Sequence, residues 1–269
     1  MAERTGIEWC DATFNPWWGC MKVSPGCANC YAENSAHRWG HEVWGPAGER
    51  RFFPDRHWAE PMAWWRRAVR DGVRRRVFCG SMCDIFEDLR VLDSQRTRLW
   101  ELIEATPDLD WLLLTKRPEN IARMCPIAGV AENIWLGTSA EDQERYDERL
   151  EELLCAPPAS VKFISAEPLL GPIDLCLLGT VPAAWGMGYK GIYQLLDWVI
   201  VGGESQDGCR PMELSWAREV VKQCRQANVA CFVKQLGGHP DKRDEPQAWP
   251  EDLRVREFPV VGLGQPMNG

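Results

Sequence analysis

Three closely spaced cysteines are the residues of this 269-residue chain best suited to chemistry. Cys20, Cys27 and Cys30 lie in the segment WWGCMKVSPGCANCYAE, with six residues between the first two and two residues between the last two. A turn places the last two sulfurs on one side, and Pro25-Gly26 supplies the tight bend before them. The spacing therefore predicts that three thiolates converge on one metal centre.

Three thiolates suit two kinds of metal centre. A structural zinc site takes four protein ligands, and Cys10 is then the candidate for the fourth. A [4Fe–4S] cluster held by only three cysteines leaves one iron open to a substrate or cofactor. The trio follows the first predicted strand, where the active site of a barrel would lie, so the sequence favours the cluster. Zinc and unligated buried thiols are the alternatives, and Cys79 and Cys83 either pack in the core or approach the metal.

Charged side chains follow several later strands and are candidates for catalysis. Lys116 and Lys234 stand at the ends of two predicted strands and suit a carboxylate or a phosphate. Glu167, in the segment SAEP, and Glu204, in GGES, suit an amino group or a proton transfer. The ordinary interpretation of each is a solvated lysine or a helix-capping carboxylate. Because polar residues recur at the same end of six predicted strands, the sequence favours a lined pocket there.

The elements that must position these residues alternate between strands and helices. Apolar runs predict strands covered on both faces over 7–14, 76–81, 111–115, 133–138, 161–165, 198–202 and 230–234. Amphipathic segments predict helices over 94–105, with Ser94 at the N-cap, over 141–154 and over 215–227, and a short helix from Pro118. This alternation predicts a parallel α/β fold. Seven strands without a glycine-rich dinucleotide fingerprint favour a TIM-barrel-like fold, a full or partial parallel β/α barrel.

Composition and charge indicate one globular domain. Apolar residues make up 45% of the chain and charged residues 26%, which excludes disorder and collagen-like structure. Without a repeat or a linker, we predict a single domain over 1–269, with a cysteine loop at about 15–35 and a C-terminal extension at about 238–269. The chain has no run that could span a membrane and no signal-peptide pattern, so we expect a cytoplasmic protein. A net charge of −8 argues against an overall positive coat for nucleic acid.

A basic segment with neighbouring tryptophans is the main feature outside the predicted pocket. Six arginines occur within eleven residues, namely Arg66, Arg67, Arg70, Arg74, Arg75 and Arg76, and Trp58, Trp64 and Trp65 precede them. Such a segment suits a nucleic-acid backbone with bases stacked on the indoles. The ordinary interpretation is a helix whose tryptophan face packs on the barrel and whose arginine face is solvated, and we favour it.

Sequence blocks along nearly the whole chain carry a family resemblance. The blocks are, in order, IEWCDATFNPWWGCMKVSPGCANCYAE, VFCGSMCDIF, LLLTKRPEN, IWLGTSAEDQ, FISAEPLLGP, DWVIVGGESQDGCRPM, FVKQLGG and WPEDLRVREFP. In this order, from about Thr5 to Pro259, they resemble a family of phage-type proteins of unknown function that is labelled by a three-Cys motif. The resemblance itself says little about a substrate.

The architecture is also similar to that of the radical S-adenosylmethionine (SAM) superfamily. Those enzymes hold a [4Fe–4S] cluster by three cysteines after the first barrel strand, and reductive cleavage of SAM at the open iron gives a 5′-deoxyadenosyl radical. The resemblance implies that Cys20, Cys27 and Cys30 are cluster ligands, although the first two are further apart here than is usual. It also implies cofactor contacts at the strand ends, at Ser81, Thr115, Thr138, Ser139, Gly202, Gly203 and Glu204.

The leading hypothesis is therefore a radical-SAM-like iron–sulfur enzyme. Its expected substrate is a nucleic-acid base or nucleotide, and its expected electron donor is a protein such as flavodoxin or ferredoxin. The alternative is a non-catalytic binding or sensing module that contains a metal cluster or zinc and contacts nucleic acid or a protein partner. A third hypothesis is a cluster enzyme that binds its substrate directly to the open iron and uses no SAM.

Overall fold

Seven parallel strands form one curled sheet, which makes a half-barrel. The computed structural model describes residues 5–126, 131–175, 196–206, 208–238 and 246–261. The strands are β1 (Ala12–Phe14), β2 (Trp17–Trp18), β3 (Arg51–Phe52), β4 (Arg75–Cys79), β5 (Leu109–Thr115), β6 (Ile134–Ser139), β7 (Val161–Ala166), β8 (Trp198–Gly202) and β9 (Ala230–Gln235). The sheet order is β1-β4-β5-β6-β7-β8-β9, and β2 pairs with β3 as a separate antiparallel ribbon.

The predicted strands are confirmed, and they form a partial rather than a full barrel. Each apolar run predicted as a strand contains a strand of the parallel sheet, and the strands follow the order of the chain. The first strand is shorter than predicted, because residues 7–10 form a turn in which the Cys10 N–H donates to the Ile7 carbonyl (3.2 Å). The order is linear, with β1 at one edge and β9 at the other.

Alternate residues of the strands are buried on opposite faces of the sheet. On the helix-covered face, residues such as Val77 and Val199 join the main core. On the inner face, Trp135, Phe163 and Trp198 belong to a second, aromatic cluster. Because both faces are covered, the strands are apolar throughout rather than alternating, as parallel strands usually are.

The helices, apart from the first, pack on the outer face of the sheet, and the first packs on a small separate core. They are α1 (Tyr31–Arg38), α2 (Asp55–Trp58), α3 (Glu60–Asp71), α4 (Asp93–Glu104), α5 (Ile121–Met124), α6 (Gln143–Cys155) and α7 (Leu214–Ala227). Pro118 begins a 3-10 turn that leads into α5, close to the predicted short helix. The prediction that Ser94 caps a helix is wrong, since a 3-10 turn (Arg90–Leu92) leads straight into α4 and Ser94 is its second residue.

The structure supports the ordinary interpretation of the basic segment, in which its tryptophans pack on the barrel. Trp58 and Trp64 are buried in the main core, and Trp65 packs against it, so these indoles face the protein rather than a ligand. Four of the six arginines form ion pairs, namely Arg70 and Arg75 with Asp71, Arg74 with Asp110, and Arg76 with Asp11. Neighbouring carboxylates therefore offset much of the positive charge that the sequence suggests.

The C-terminal extension is described in part. Residues 239–245 and 262–269 of the predicted extension lie outside the described residues. Within the described part, Trp249, Leu253 and Val255 join the main core, and the Trp198 indole donates to the Glu257 carbonyl (2.9 Å). None of the helices in the described ranges has the length and apolar character needed to cross a bilayer.

Candidate cysteine site

The three cysteines of the sequence motif line a single cavity at the carboxyl ends of the strands. The cavity has a volume of about 140 Å³, and its wall includes Cys20, Cys27 and Cys30. Cys83, which follows β4, also lines this cavity. Since the carboxyl ends of the strands are where parallel β/α barrels carry their chemistry, four thiols lie at the expected position of a site.

Polar groups from the strand ends complete the wall of the cysteine cavity. Ser81, Thr115 and Ser139 contribute hydroxyl groups, and Lys116 and Arg117 contribute cations. The Lys116 ammonium donates to the Ser139 hydroxyl (3.1 Å). The cavity therefore combines soft sulfur donors with hydroxyl groups and cations, a mixture that suits a metal centre with a polar or anionic ligand beside it.

Burial raises the pKa of three of the cavity thiols, of which Cys83 is buried and Cys20 and Cys30 are partly buried. Burial raises the pKa of the Cys20 thiol to about 12; Asp84 adds to the rise, and Arg117 opposes it. Burial likewise raises the pKa of Cys30, and that of Cys83 well above its ordinary value. These thiols are protonated at neutral pH in the absence of a metal, so a metal that binds them must displace protons.

Three pairs of oppositely charged side chains fix the cysteine loop to the sheet. The first is the buried pair of Asp84 and Arg117, whose carboxylate and guanidinium are 2.9 Å apart. Arg117 also donates to the Met21 carbonyl (2.6 Å) and to the Cys20 sulfur (3.6 Å). Asp84 in turn accepts from the Thr115 hydroxyl (2.7 Å). This pair fixes the start of the loop above β4 and β5.

The second pair lies beneath the middle of the loop. Glu141, two residues after β6, is fully buried and accepts from the Arg149 guanidinium (2.9 Å) of α6 and from the Gly26 N–H (3.0 Å). A β-carbon added at Gly26 would lie 2.9 Å from the Glu141 carboxyl carbon, so the contact requires glycine at this position. The bend before Cys27 is thus held by a buried charge.

The third pair fixes the end of the loop above β8. Glu204 forms an ion pair with Arg210 and accepts from the Asn29 side-chain amide (2.9 Å). Arg210 also donates to the Pro25 carbonyl (3.0 Å). The contacts of Glu204 are thus those of a residue that positions the loop next to Cys30, a role that the sequence did not predict for it.

The other predicted site residues lie outside the wall of the cavity. The Thr138 hydroxyl is buried and donates to the Thr115 carbonyl (3.0 Å). Glu167 and Lys234 form an ion pair between the ends of β7 and β9. Gly202 and Gly203 accept through their carbonyls from the Leu169 N–H (2.8 Å) and the Gln235 side chain (2.7 Å). The structure thus places part of the predicted set on the cavity wall at β4–β6 and the rest outside it, namely buried Thr138 in β6 and the rim residues at the ends of β7–β9.

Sequence reasoning missed the residues that anchor the loop. Glu141, Arg149 and Arg210 stand in charged stretches that are typical of solvated surface. Nothing in the sequence around Glu141 and Arg210 indicates their contacts with Gly26 and Pro25, which are more than 100 residues away. Tyr31, directly after the last cysteine, was also missed as a cavity residue; its hydroxyl donates to the Ser81 carbonyl (2.6 Å). The one feature of the sequence that could have indicated Glu141 is its position just after the end of a strand, where barrels carry their site residues.

The donor set of the cavity fits an iron–sulfur cluster by its chemistry. Thiolates are the usual ligands of such clusters, and Cys20, Cys27 and Cys30 all face one space. Over the part of the chain that the structure describes, no three His, Cys, Asp or Glu side chains are grouped as a single metal ion requires.

Cys10 and Cys79 stand apart from the wall of the cavity. Cys10 is buried in the aromatic cluster of the inner face beside Trp9, and burial raises the pKa of its thiol to about 12. Cys79 is fully buried in the main core. The thiol that joins the predicted trio is therefore Cys83, rather than Cys10.

Fold and site together define a class of protein, a partial parallel β/α barrel with a cysteine-lined cavity at the carboxyl ends of its strands. The chain belongs to the family described as "Protein of unknown function (DUF5131)", which matches residues 4–258. No curated protein and no solved structure matches the chain. The predicted membership of an uncharacterised family is thus confirmed, whereas the three-Cys label and the likeness to radical SAM enzymes stay predictions.

Proposed function

We propose that this protein is a [4Fe–4S] enzyme of the radical SAM type, with Cys20, Cys27 and Cys30 as the ligands of the cluster. The observation that carries the proposal is that these three thiols line one cavity at the carboxyl ends of a parallel half-barrel. Three ligands leave one iron free for a cofactor. When bound, such a cluster would supply an electron for cleavage of SAM to a radical that abstracts a hydrogen atom from a substrate.

Polar groups on the cavity wall are the candidates for holding SAM. Lys116, which already contacts Ser139, offers a cation for a carboxylate. The hydroxyls of Ser81 and Ser139 offer donors and acceptors for an amino group or a ribose. Thr115 lines the same wall, but its hydroxyl is already used by Asp84.

Charged residues of the rim take the remaining roles. We assign movement of a proton at the substrate to Glu167 and Lys234, which form an ion pair beside the cavity. Glu204 acts as a positioning residue, because its carboxylate oxygens already contact Asn29 and Arg210. A nucleic-acid base or nucleotide remains the predicted substrate, and a small redox protein such as flavodoxin or ferredoxin remains the predicted electron donor.

Formation of 5′-deoxyadenosine tests the enzymatic proposal. After anaerobic reconstitution with iron and sulfide, the reduced protein is expected to release 5′-deoxyadenosine from SAM, and the Cys30→Ala variant is expected to release none. Cys155→Ala is the matched control, because this thiol is exposed at the end of α6. A reconstituted protein that carries a complete cluster and leaves SAM intact would exclude SAM cleavage.

Cys83 supports a second candidate function, a metal-containing binding or sensing module. With Cys83 on the cavity wall, the thiols number four, which is the ligand count of a closed structural site. A Cys83→Ala variant separates the two proposals. The enzyme is expected to keep its cluster in this variant, whereas a four-thiolate site would lose its metal.

A further inference from the structure

An aromatic stack beside the cysteine loop has no role in the chemistry of the cavity. The rings of Trp18 and Trp39 are stacked, with centroids 5.3 Å apart and planes inclined by 30°. Trp39 is 56% exposed, whereas the other tryptophans in the described ranges are buried or partly buried. An indole so exposed costs hydrophobic stabilisation, so its flat surface is a candidate for binding.

Two arginines accompany this stack, one in contact with Trp18 and one adjacent to Trp39 in the chain. The Arg51 guanidinium lies over the Trp18 ring, 4.7 Å from its centroid, and donates to the His41 ring nitrogen (3.0 Å). Arg38 is exposed in the last turn of α1, next to Trp39. Among the residues described, neither arginine lies within ion-pair distance of a carboxylate, in contrast to four of the six arginines of the basic segment. Both guanidinium groups are thus available to an anionic ligand, in a chain of net charge −8.

Helix α1 connects the stack to the cysteine cavity. Cys30 occupies the N-cap of α1 and Trp39 its C-cap. At a rise of about 1.5 Å per residue, the two positions are about 13 Å apart along the helix. That distance corresponds to about four nucleotide steps of 3.4 Å in a stacked single strand. Trp18 and Cys30 also pack against one small core with Trp44, which lines the cavity.

We propose that Trp39, with Arg38 and Arg51, stacks a base of single-stranded nucleic acid and directs the nucleotide about four steps along the same strand to the cysteine cavity. An exposed aromatic face flanked by arginines is how proteins hold an unpaired base and its phosphates. A duplex hides the faces of its bases and does not fit this contact. The inference rests on the proposed function for the fate of the nucleotide in the cavity, but the stacking contact needs no cluster.

Binding of a labelled oligodeoxythymidine of about ten nucleotides tests the stacking site, with fluorescence anisotropy as the readout on the full chain. We expect Trp39→Ala to weaken binding about tenfold, and Trp39→Phe, which keeps a planar ring, to retain most of the affinity. The paired change Arg38→Ala and Arg51→Ala is expected to lower both the affinity and its dependence on salt. The matched control is Arg66→Ala with Arg70→Ala, two exposed arginines of α3.

Four results would overturn the inference. They are no binding of the oligonucleotide, equal affinity in the Trp39→Ala variant, a larger loss in the α3 control than at Arg38 and Arg51, and equally tight binding of a duplex. The same titration of the Cys30→Ala variant separates this inference from the proposed function. Binding that persists without a cluster supports the stacking site, even if SAM cleavage is never observed.

Discussion

Individual carboxylates at the strand ends hold the cysteine loop, and one of them, Asp84, also lines the cavity. Asp84, Glu141 and Glu204 each pair with an arginine and each contact, directly or through that arginine, a backbone or side-chain group of residues 20–30. A buried charge is costly unless it is paired. Removing one member of such a pair therefore destabilises the protein, because the other charge stays buried without a partner. The site is therefore positioned by electrostatics as much as by packing.

The ionisation of Glu141 makes this anchoring sensitive to pH. Burial alone raises the pKa of the Glu141 carboxyl, but Arg149, Ser24 and the Gly26 N–H outweigh it, so that the pKa lies below its ordinary value of 4.5. A group with a depressed folded-state pKa stabilises the protein above its unfolded pKa. This contribution is lost as the pH falls from 4.5 through the lower pKa of the folded state.

A Glu141→Gln variant tests the anchor. At pH 7 we expect the free energy of unfolding to fall by about 3 kcal/mol, because the charge of Arg149 is left buried without its partner. Below pH 4.5 the gap between variant and wild type is expected to narrow, since the wild-type carboxyl itself becomes neutral. Urea unfolding at a series of pH values measures both effects, with the exposed Glu152→Gln as the control. A gap that is independent of pH would contradict this account of the anchor.

Among single residues, the sequence was most informative about the three cysteines that line the cavity. Cys20, Cys27 and Cys30 are close in the chain, so a turn alone brings them together. The contacts that anchor the loop could not be predicted, because Gly26 and Glu141 are separated by 115 residues, and Asn29 and Glu204 by 175. A lone sequence gives no indication of which charges across such separations become partners.

At the scale of elements, the strands are specified by burial on both faces. The aromatic cluster of the inner face takes large side chains from alternate positions, and Phe163 of β7 stands beside Gly137 of β6 in register. A β-carbon added at Gly137 would lie 2.4 Å from the Phe163 ring. The missing side chain of Gly137 therefore leaves the space that the Phe163 ring occupies beside β6.

A Gly137→Ala variant tests this packing. We expect it to lower the free energy of unfolding by about 1–3 kcal/mol, the usual cost of overpacking a core. Adding Phe163→Leu is expected to recover part of the loss, so that the two changes are not additive. Thermal or urea denaturation of the single and double variants measures this coupling. Strict additivity would show that the contact between the two residues does not limit the packing.

Periodicity predicted the elements better than their ends. Apolar runs identified every strand of the parallel sheet because such runs arise directly from a sheet with two covered faces. The start of α4 was missed because local propensity favours Ser94 as a cap, whereas the chain enters the helix through a 3-10 turn. The small ribbon of β2 and β3 has two residues in each strand, too few for a pattern.

At the scale of the whole molecule, the half-barrel and the cysteine loop together form the cavity. The sheet supplies polar residues and Cys83 at the carboxyl ends of its strands, and the insertion between β1 and β4 supplies the other three thiols, α1 and the exposed Trp39. Sequence reasoning could predict that the site lies at this end, because chain order and strand direction fix it. The seating of the loop across β4, β6 and β8 depends on the curl of the sheet, which no local pattern encodes.

The iron and sulfide contents of the anaerobically reconstituted protein test the central claim most directly. The account predicts about four irons and four sulfides per chain in the wild type and in the Cys155→Ala control. It also predicts loss of both in Cys20→Ala, Cys27→Ala and Cys30→Ala. One zinc with no iron, or an iron content that Cys30→Ala leaves unchanged, would contradict the claim that these three thiols hold a [4Fe–4S] cluster.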